Sequence, residues 1–457
     1  MQMLLTEIRQ ALGLTTNSQS PTTTEITAVT FDSRKVQAGS LFVPLVAERD
    51  GHDFVGAAFQ KGAQATLWQA DHPLPANADE RYLVVSNTLQ ALQTLSQFYL
   101  RKVAPQVVAI TGSNGKTTTK DMTAAILAQR YRVVKTPANF NNEIGVPITI
   151  LSMDSDTEIL VVEMGMDRAG QVAKLSALVQ PDLAVITMIG EAHIEFFGTR
   201  DKIADAKMEI VTALKKRGTF IYNGDEPLLQ ERAQTVVQAK LTFGQKETND
   251  LYSLTCQGSQ KQIRFTTNLW PQLEFCLPLL GDYNVQNALA SLLVGQKYQI
   301  SPEQMQKALA TFQPTANRTQ WLTAANGSQL LSDVYNANPT AMIDVIANFS
   351  QLKTKGRRIL VLGDMLELGA QGQKLHQQIA TAIDPERIAA VYLIGDLMLS
   401  LQTKLAGKLP VYHFASSEQD QLVTQLRQDL DPKDLVLLKA SNGLHLDRVV
   451  QALQAEC

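Results

Sequence analysis

The sequence predicts an α/β fold divided into three domains, and three observations carry that expectation. Its 457 residues exceed what one hydrophobic core ordinarily supports. Short apolar runs that read as buried strands alternate with segments of helical period. At one place strand, glycine loop and helix follow in direct succession. Val107–Ile110 is apolar, TGSNGKTTT runs from Thr111 to Thr119, and Met122, Ala125 and Ile126 then fall at i, i+3 and i+4. Boundaries are expected near residues 1–102, 103–313 and 314–457.

Composition narrows the class of function. A hydrophobic content of 45% with 19% charged residues describes an ordinary globular protein. A net charge of −3 argues against a nucleic-acid or anionic-membrane partner. Cys256, Cys276 and Cys457 are scattered, form no metal-ligand pattern and suggest a reducing compartment. The opening MQMLLTEIRQALGL carries Glu7 and Arg9 within its apolar pattern and reads as an amphipathic helix, not a signal peptide. Since no apolar run approaches the ~20 residues of a membrane span, a cytoplasmic protein without membrane insertion is expected.

In the first domain, Leu41–Val43 and Tyr82–Val85 read as strands. Asn87 is placed to cap a helix whose Leu92, Leu95 and Tyr99 share one face. Asp32, Ser33 and Arg34 mark a turn before a strand, where Arg34 could fork onto a phosphate or carboxylate; a solvated Asp–Arg pair is the plainer reading. Arg101, Lys102 and Pro105 mark the first junction.

The second domain begins at the glycine loop. Gly112 and Gly115 let backbone N–H groups of Ser113 and Asn114 turn toward an anion, and the following helix N-terminus adds partial positive charge. Lys116 would reach the terminal phosphates, while the Thr117 hydroxyl, followed by Thr118, is placed for Mg²⁺. Ile110 stands where the usual first glycine would be, yet GKTT directly after an apolar strand points to ATP. Glu163 ends the apolar run Ile159–Val162, the position from which a carboxylate can hold Mg²⁺ or, alternatively, make a cap or salt bridge. His193 follows the strand-like Asp182–Thr187 and suits either a metal or phosphate role or plain hydrogen bonding. Lys207, with Ile203, Ile210 and Leu214 at −4, +3 and +7, falls on the buried stripe of its helix, and Lys215, Lys216 and Arg217 are expected at that helix's C-terminus. Burial lowers a lysine pKa, and a neutral amine can add CO₂; periodicity alone favours a lysine that snorkels to solvent. Leu241–Leu280 suggests antiparallel hairpins, and Asn284 and Asn287 share a face of the next helix.

After Pro314, three apolar strands end in small or polar turns: Ile359–Leu362, Val391–Ile394 and Leu435–Leu438. This is a Rossmann-like unit without GxGxxG, so a dinucleotide is not favoured.

Together, GSNGKTTTKDM, ANFNNEIGVPITIL, VEMGMDRAGQV, IGEAHIEFFGT, DVYNANPTAM and LGDMLELG resemble the Mur ligases, ATP-dependent amide-forming enzymes of peptidoglycan precursor synthesis. The resemblance covers the whole chain. It implies an N-terminal α/β domain that grips a UDP-sugar, a central P-loop-type parallel-sheet ATPase domain and a C-terminal Rossmann-like domain that closes over the nucleotide. It assigns Lys116 to the ATP phosphates, Thr117 and Glu163 to Mg²⁺, His193 to a second metal region and Lys207 to a carbamylated lysine. It places Asn287 and Arg318 near adenine and phosphate and Asp333 near ribose. Ser33 and Arg34 would meet the uridine diphosphate end, with Asn139, Asn142, Asn336 and Asn338 near the other substrates. The implied reaction joins D-alanyl-D-alanine to UDP-N-acetylmuramoyl-tripeptide through an acyl phosphate, on a monomer.

Three residues depart from the family pattern: Tyr283 for histidine, Asn317 for glycine and Ala440 for glycine. They bear on the nucleotide contacts, not on the reaction. Two rivals remain at this level, a sibling ligase that adds a single amino acid and a P-loop switch that makes no amide. The third peptide residue, lysine or diaminopimelate, is left open.

Overall fold

The computed structural model describes residues 1–15, 23–260, 262–313, 315 and 318–455; Pro314, Asn317 and Cys457 lie outside them. Strands Ala28–Thr30, Ser40–Phe42, Ala63–Gln69 and Tyr82–Val85 form a parallel sheet in that order. Helix Thr88–Val103 follows, capped by the Asn87 side chain, which accepts from Gln90 N at 2.8 Å. Leu92, Leu95 and Tyr99 are buried as expected, and the Tyr99 hydroxyl donates to Met153 O, fixing this helix to the central domain. Ala104 adopts a left-handed φ of 53° and ends the helix; the central sheet begins two residues later. The opening segment is shorter in helix than its pattern suggests. Met3–Leu4 pairs antiparallel with Glu25–Ile26, and only Leu5–Ala11 is helical. Burial of Met3 against that partner strand overrides the helical period.

The central sheet has nine strands, ordered Phe275–Leu277, Ile263–Thr267, Leu251–Gly258, Ala239–Gly244, Thr219–Asn223, Leu183–Ile186, Gln106–Thr111, Ile159–Glu163 and Val133–Lys135. Gln106–Thr111 lies between two parallel neighbours that come later in the chain, so the strand order reverses there. Such a reversal leaves a crevice beyond the carboxyl ends of the strands, where Thr111, Glu163 and Ile186 terminate. The expected hairpins begin later than predicted. Ala239–Gly244 is parallel to Thr219–Asn223 because helix Pro227–Ala233 carries the chain back across the sheet.

The helix bearing Lys207 is shorter than its period suggests. It spans Arg200–Met208 and tightens into a 3₁₀ turn at Glu209–Val211, so Lys215 is not in its last turn and instead pairs with Asp182 at 2.8 Å. The break occurs where the Glu209 carboxylate turns to accept from Gly170 N and Ala173 N, at the start of helix Gln171–Val179.

The C-terminal sheet has six strands, ordered Gln320–Thr323, Gln329–Asp333, Leu435–Lys439, Arg358–Gly363, Ala390–Ile394 and Val411–Phe414, parallel except for the first pair. Three of these were legible as apolar runs. The other three are short and interrupted by polar residues, as in QWLT and VYHF. The largest buried apolar cluster draws on all three domains, including Leu92, Leu160 and Leu360. Among the described residues, no helix is long and apolar enough to cross a membrane.

Candidate active site

A cavity of about 480 Å³ lies at the carboxyl edge of the central sheet and is roofed by the C-terminal domain. Ser113, Asn114, Gly115, Lys116, Thr117, Asn142, Glu163, His193, Arg318 and Asn336 all line it. A smaller cavity of about 200 Å³ adjoins it, bounded by Thr118, Asn287, Asp333, Tyr283 and Lys439; Asn114, Gly115, Arg318 and Asn336 border both. Most of the residues singled out from sequence therefore converge on one place, from two domains.

The loop glycines are required by close approach. At Gly112, φ is +150° and a Cβ would stand 1.8 Å from Thr187 Oγ1; at Gly115, φ is +81° and a Cβ would stand 2.2 Å from Asn287 Oδ1. Asn287 is buried against the loop, accepting from Thr119 Oγ1 and donating to Asn284 Oδ1, so the i, i+3 pair acts as one bracket. Lys116 Nζ curls back to donate to Gly112 O at 2.9 Å. Burial pulls its ammonium below the usual lysine range; the Glu163 carboxylate opposes this and Arg318 adds to it.

Glu163 is buried, and Asn141 Nδ2 donates to its Oε1 at 2.7 Å. Its Oε2 has no hydrogen-bond partner among the described residues, and the nearest cation, Lys120 Nζ, stays 3.9 Å away. An anionic oxygen left so in a buried wall is costly unless a cation completes it. Thr117 Oγ1 lies on the same cavity and accepts from Arg318 Nη2 at 3.3 Å. An oxygen-only pair of donors of this kind fits Mg²⁺. Arg318 also stacks on the Tyr335 ring at 3.8 Å, and its Nε is buried without a partner among the described residues.

His193 sits in the left-handed region at φ 64°, uncommon for a non-glycine residue. Its Nδ1 lies 2.5 Å from Glu367 Oε2 in the C-terminal domain, and this contact holds the Glu367 carboxyl below its usual range. A second contact, Asn114 with Asn338, joins the phosphate loop to that domain through two amide–amide hydrogen bonds of 3.2 and 2.6 Å.

Lys207 is 2% exposed, does not line the cavity and lies close enough to Lys116 to feel its charge. Burial, and then the Lys116 ammonium, push its pKa well down, with no carboxylate among the described residues pulling it back. It does not snorkel.

Other expected residues lie elsewhere. Asn338 is buried, lines neither cavity, and caps helix Pro339–Ser350 by accepting from Ala341 N. Asn139 is exposed beside Tyr335 and lines neither cavity. Arg34 forks at 2.9 Å onto Asp32, whose pKa falls to about 2, and Ser33 O accepts from Lys61 Nζ; this turn lies at the edge of the N-terminal sheet, away from the central cavity. Asp333 is paired with Lys439, which also donates to Asn336 O. Of the departures, Tyr283 lines the smaller cavity and Ala440 is buried with its methyl against Gly363. Sequence reasoning missed Asn141, Tyr335, Glu367 and Lys439. The first three lie inside the quoted motifs, but nothing local distinguishes a side chain that supports a ligand group from its neighbours.

This phosphate loop with a lone carboxylate oxygen beneath a C-terminal roof defines a nucleotide-triphosphate-dependent enzyme. Family comparison agrees: the Mur ligase middle domain matches residues 110–295, the Mur ligase glutamate ligase domain 317–442, and the Mur ligase family catalytic domain 25–100. The chain belongs to the Mur ligase family. It is 41% identical over 434 residues to the UDP-N-acetylmuramoyl-tripeptide–D-alanyl-D-alanine ligase of Bacillus subtilis (strain 168), covering 94% of this chain and 93% of that one. It is 32% identical over 437 residues to the Escherichia coli (strain K12) protein of the same name, covering 93% of each. Among solved structures it resembles MurF from Acinetobacter baumannii, with a TM-score of 0.88 at 27% identity over 100% of this chain and 99% of that one. It also resembles MurF ligase from Thermotoga maritima in complex with ADP, with a TM-score of 0.80 at 27% identity over 93% and 97%.

Proposed function

We infer that this chain is an ATP-dependent ligase that joins D-alanyl-D-alanine to UDP-N-acetylmuramoyl-tripeptide, acting as a cytoplasmic monomer in peptidoglycan precursor synthesis. The observation that carries the reading is the buried Glu163 oxygen on the same wall as the phosphate loop, in a chain that aligns over 94% of its length with a UDP-N-acetylmuramoyl-tripeptide–D-alanyl-D-alanine ligase.

In this account Lys116 leaves the loop carbonyls to meet the outer phosphates of ATP, and Arg318 meets the same charge from the C-terminal domain. Glu163 and Thr117 would hold Mg²⁺, which offsets phosphate charge when bound. Asn141 orients the carboxylate. The smaller cavity, with Asn287 and Asp333, suits the nucleoside. The tripeptide carboxylate attacks the γ-phosphorus and ADP leaves; the neutral amine of the dipeptide then attacks the acyl carbon, phosphate leaves, and the amine proton passes to a base. The domain contacts at His193–Glu367 and Asn114–Asn338 support closure that keeps water from the acyl phosphate.

Lys207 supports a carbamate. Its depressed pKa supplies the free amine that adds to CO₂, forming an N–C bond and releasing a proton. The resulting anion would relieve the repulsion from Lys116 and offer oxygens to a second cation. Mass spectrometry after mixing the protein with ATP, Mg²⁺, D-alanyl-D-alanine and UDP-N-acetylmuramoyl-tripeptide tests the whole reading. Expected is the pentapeptide product with one phosphate per amide. ATP turnover that neither needs the tripeptide nor yields an amide would overturn it.

A further inference from the structure

A further cleft of about 500 Å³ runs between the N-terminal helix Thr88–Val103 and the central helix Gln171–Val179. One wall is a row of amides, Gln90, Gln93 and Gln97, at i, i+3 and i+7 on one helical face. Gln93 Nε2 donates to Glu143 O at 3.1 Å, tying this helix to the loop that carries Asn141 and Asn142. The cleft and the 480 Å³ cavity share Glu143, Lys174 and Leu175, so these three residues form the passage between them. Leu175 is buried, whereas Glu143 and Lys174 are exposed and neither is ion-paired with a described residue. Two opposite charges at one passage, neither paired with a described residue, are available to a ligand that carries both charges.

On the ligase reading above, the peptide acid enters from the N-terminal domain, which holds its sugar nucleotide, and this passage lies on that route. The third peptide residue brings the reacting carboxylate. Its side chain ends in an ammonium if it is lysine, and in an ammonium with a second carboxylate if it is diaminopimelate. We propose that Glu143 and Lys174 read that end as a zwitterion, Glu143 taking the ammonium and Lys174 the carboxylate, and so select the diaminopimelate tripeptide. Leu175 packs beside the methylenes, and the glutamine row takes the polar stem that precedes them.

The test is kcat/KM for the two tripeptides with the intact chain and with Lys174→Gln and Glu143→Gln; both side chains are exposed, so folding is not at stake. The intact chain should prefer the diaminopimelate form by about 10-fold or more, the scale of a missing charge-assisted contact. Lys174→Gln should erase that preference by a loss on the diaminopimelate form alone. Glu143→Gln should raise KM for both, and KM for ATP should stay unchanged in each variant. An intact chain without preference, or a Lys174→Gln loss equal for both tripeptides, overturns the proposal; the latter would put a carboxylate common to both peptides at Lys174. Failure of the intact chain to ligate either tripeptide would instead sink the ligase reading itself.

Discussion

Two buried carboxylates stand at equivalent places in two sheets and are treated in opposite ways. Glu163 ends a parallel strand of the central sheet, and Asp364 directly follows one in the C-terminal sheet. Asp364 is tied to backbone donors, although burial still raises its pKa. Its oxygens accept from Met398 N at 2.9 Å and Leu397 N at 3.3 Å, and Gly395 leaves room for it at φ +110°. Beside it, His376 accepts from Met365 N and donates Nδ1–H to Gly372 O. Glu163 keeps one oxygen without a hydrogen-bond partner among the described residues, and Lys207, near Lys116, is a buried amine with no opposite charge acting on it among them. The same strand-end geometry thus serves as a staple in one domain and as a receptor in the other. What separates them is the hydrogen bonding of each oxygen, and a buried carboxylate oxygen without a donor calls for a ligand to complete it.

Three substitutions sharpen that contrast, in descending order of expected effect. Lys207→Met fills the same volume without the amine. It should lower turnover by about 10²-fold or more, the scale of losing a preorganised electrostatic group. It should also leave Tm equal or higher, because it removes a desolvated amine repelled by Lys116. Short carboxylic acids should restore part of the activity to Lys207→Ala, where the truncated side chain leaves them space. Asp364→Ala should do the reverse, lowering stability by about 1–3 kcal/mol as two backbone N–H groups lose their acceptor, with kcat per folded molecule nearly unchanged. Paired thermal melts and turnover assays on the same preparations check both.

The smallest effect lies in the N-terminal domain and depends on pH. His72 Nε2 lies 2.7 Å from Asp50 Oδ2 and its Nδ1 2.5 Å from Asp71 Oδ1, so hydrogen bonds to the two carboxylates raise its pKa. Asp50 is lowered to about 2, chiefly by the His52 N–H. The His72 contribution is fully present below the ordinary histidine value of 6.5 and fades as pH rises through its raised folded value. The Asp50 contribution is present above 3.8 and fades as pH falls through about 2. His72→Gln should therefore lower Tm near pH 5 and make no difference at pH values where the folded-state histidine is neutral. Equal destabilisation across that range would show that packing on His52, not charge, is what His72 supplies.

How much was legible in the sequence follows from how local each signal is. The strand–loop–helix at 106–127, the Asn87 cap and the strand ending at Glu163 each need only contiguous residues, and all three stand where the pattern put them. Lys207 divides the lesson: its period correctly gave burial, but the helix ended early because Glu209 is recruited by backbone groups 36 and 39 residues away. Asn338 lay in a suggestive motif yet is spent on a cap and on Asn114, 224 residues distant. Glu367 and Tyr335 gain their roles only from His193 and Arg318 across a domain junction. Such pairings are set by tertiary packing and leave no trace in spacing.

The account rests on a peptide carboxylate attacking the outermost phosphorus of ATP above Glu163. Tripeptide labelled with ¹⁸O in its terminal carboxylate, turned over with ATP and D-alanyl-D-alanine, tests this directly through the mass of the released phosphate. Phosphate carrying one ¹⁸O is the predicted result; phosphate without label, released alongside the amide product, would contradict it.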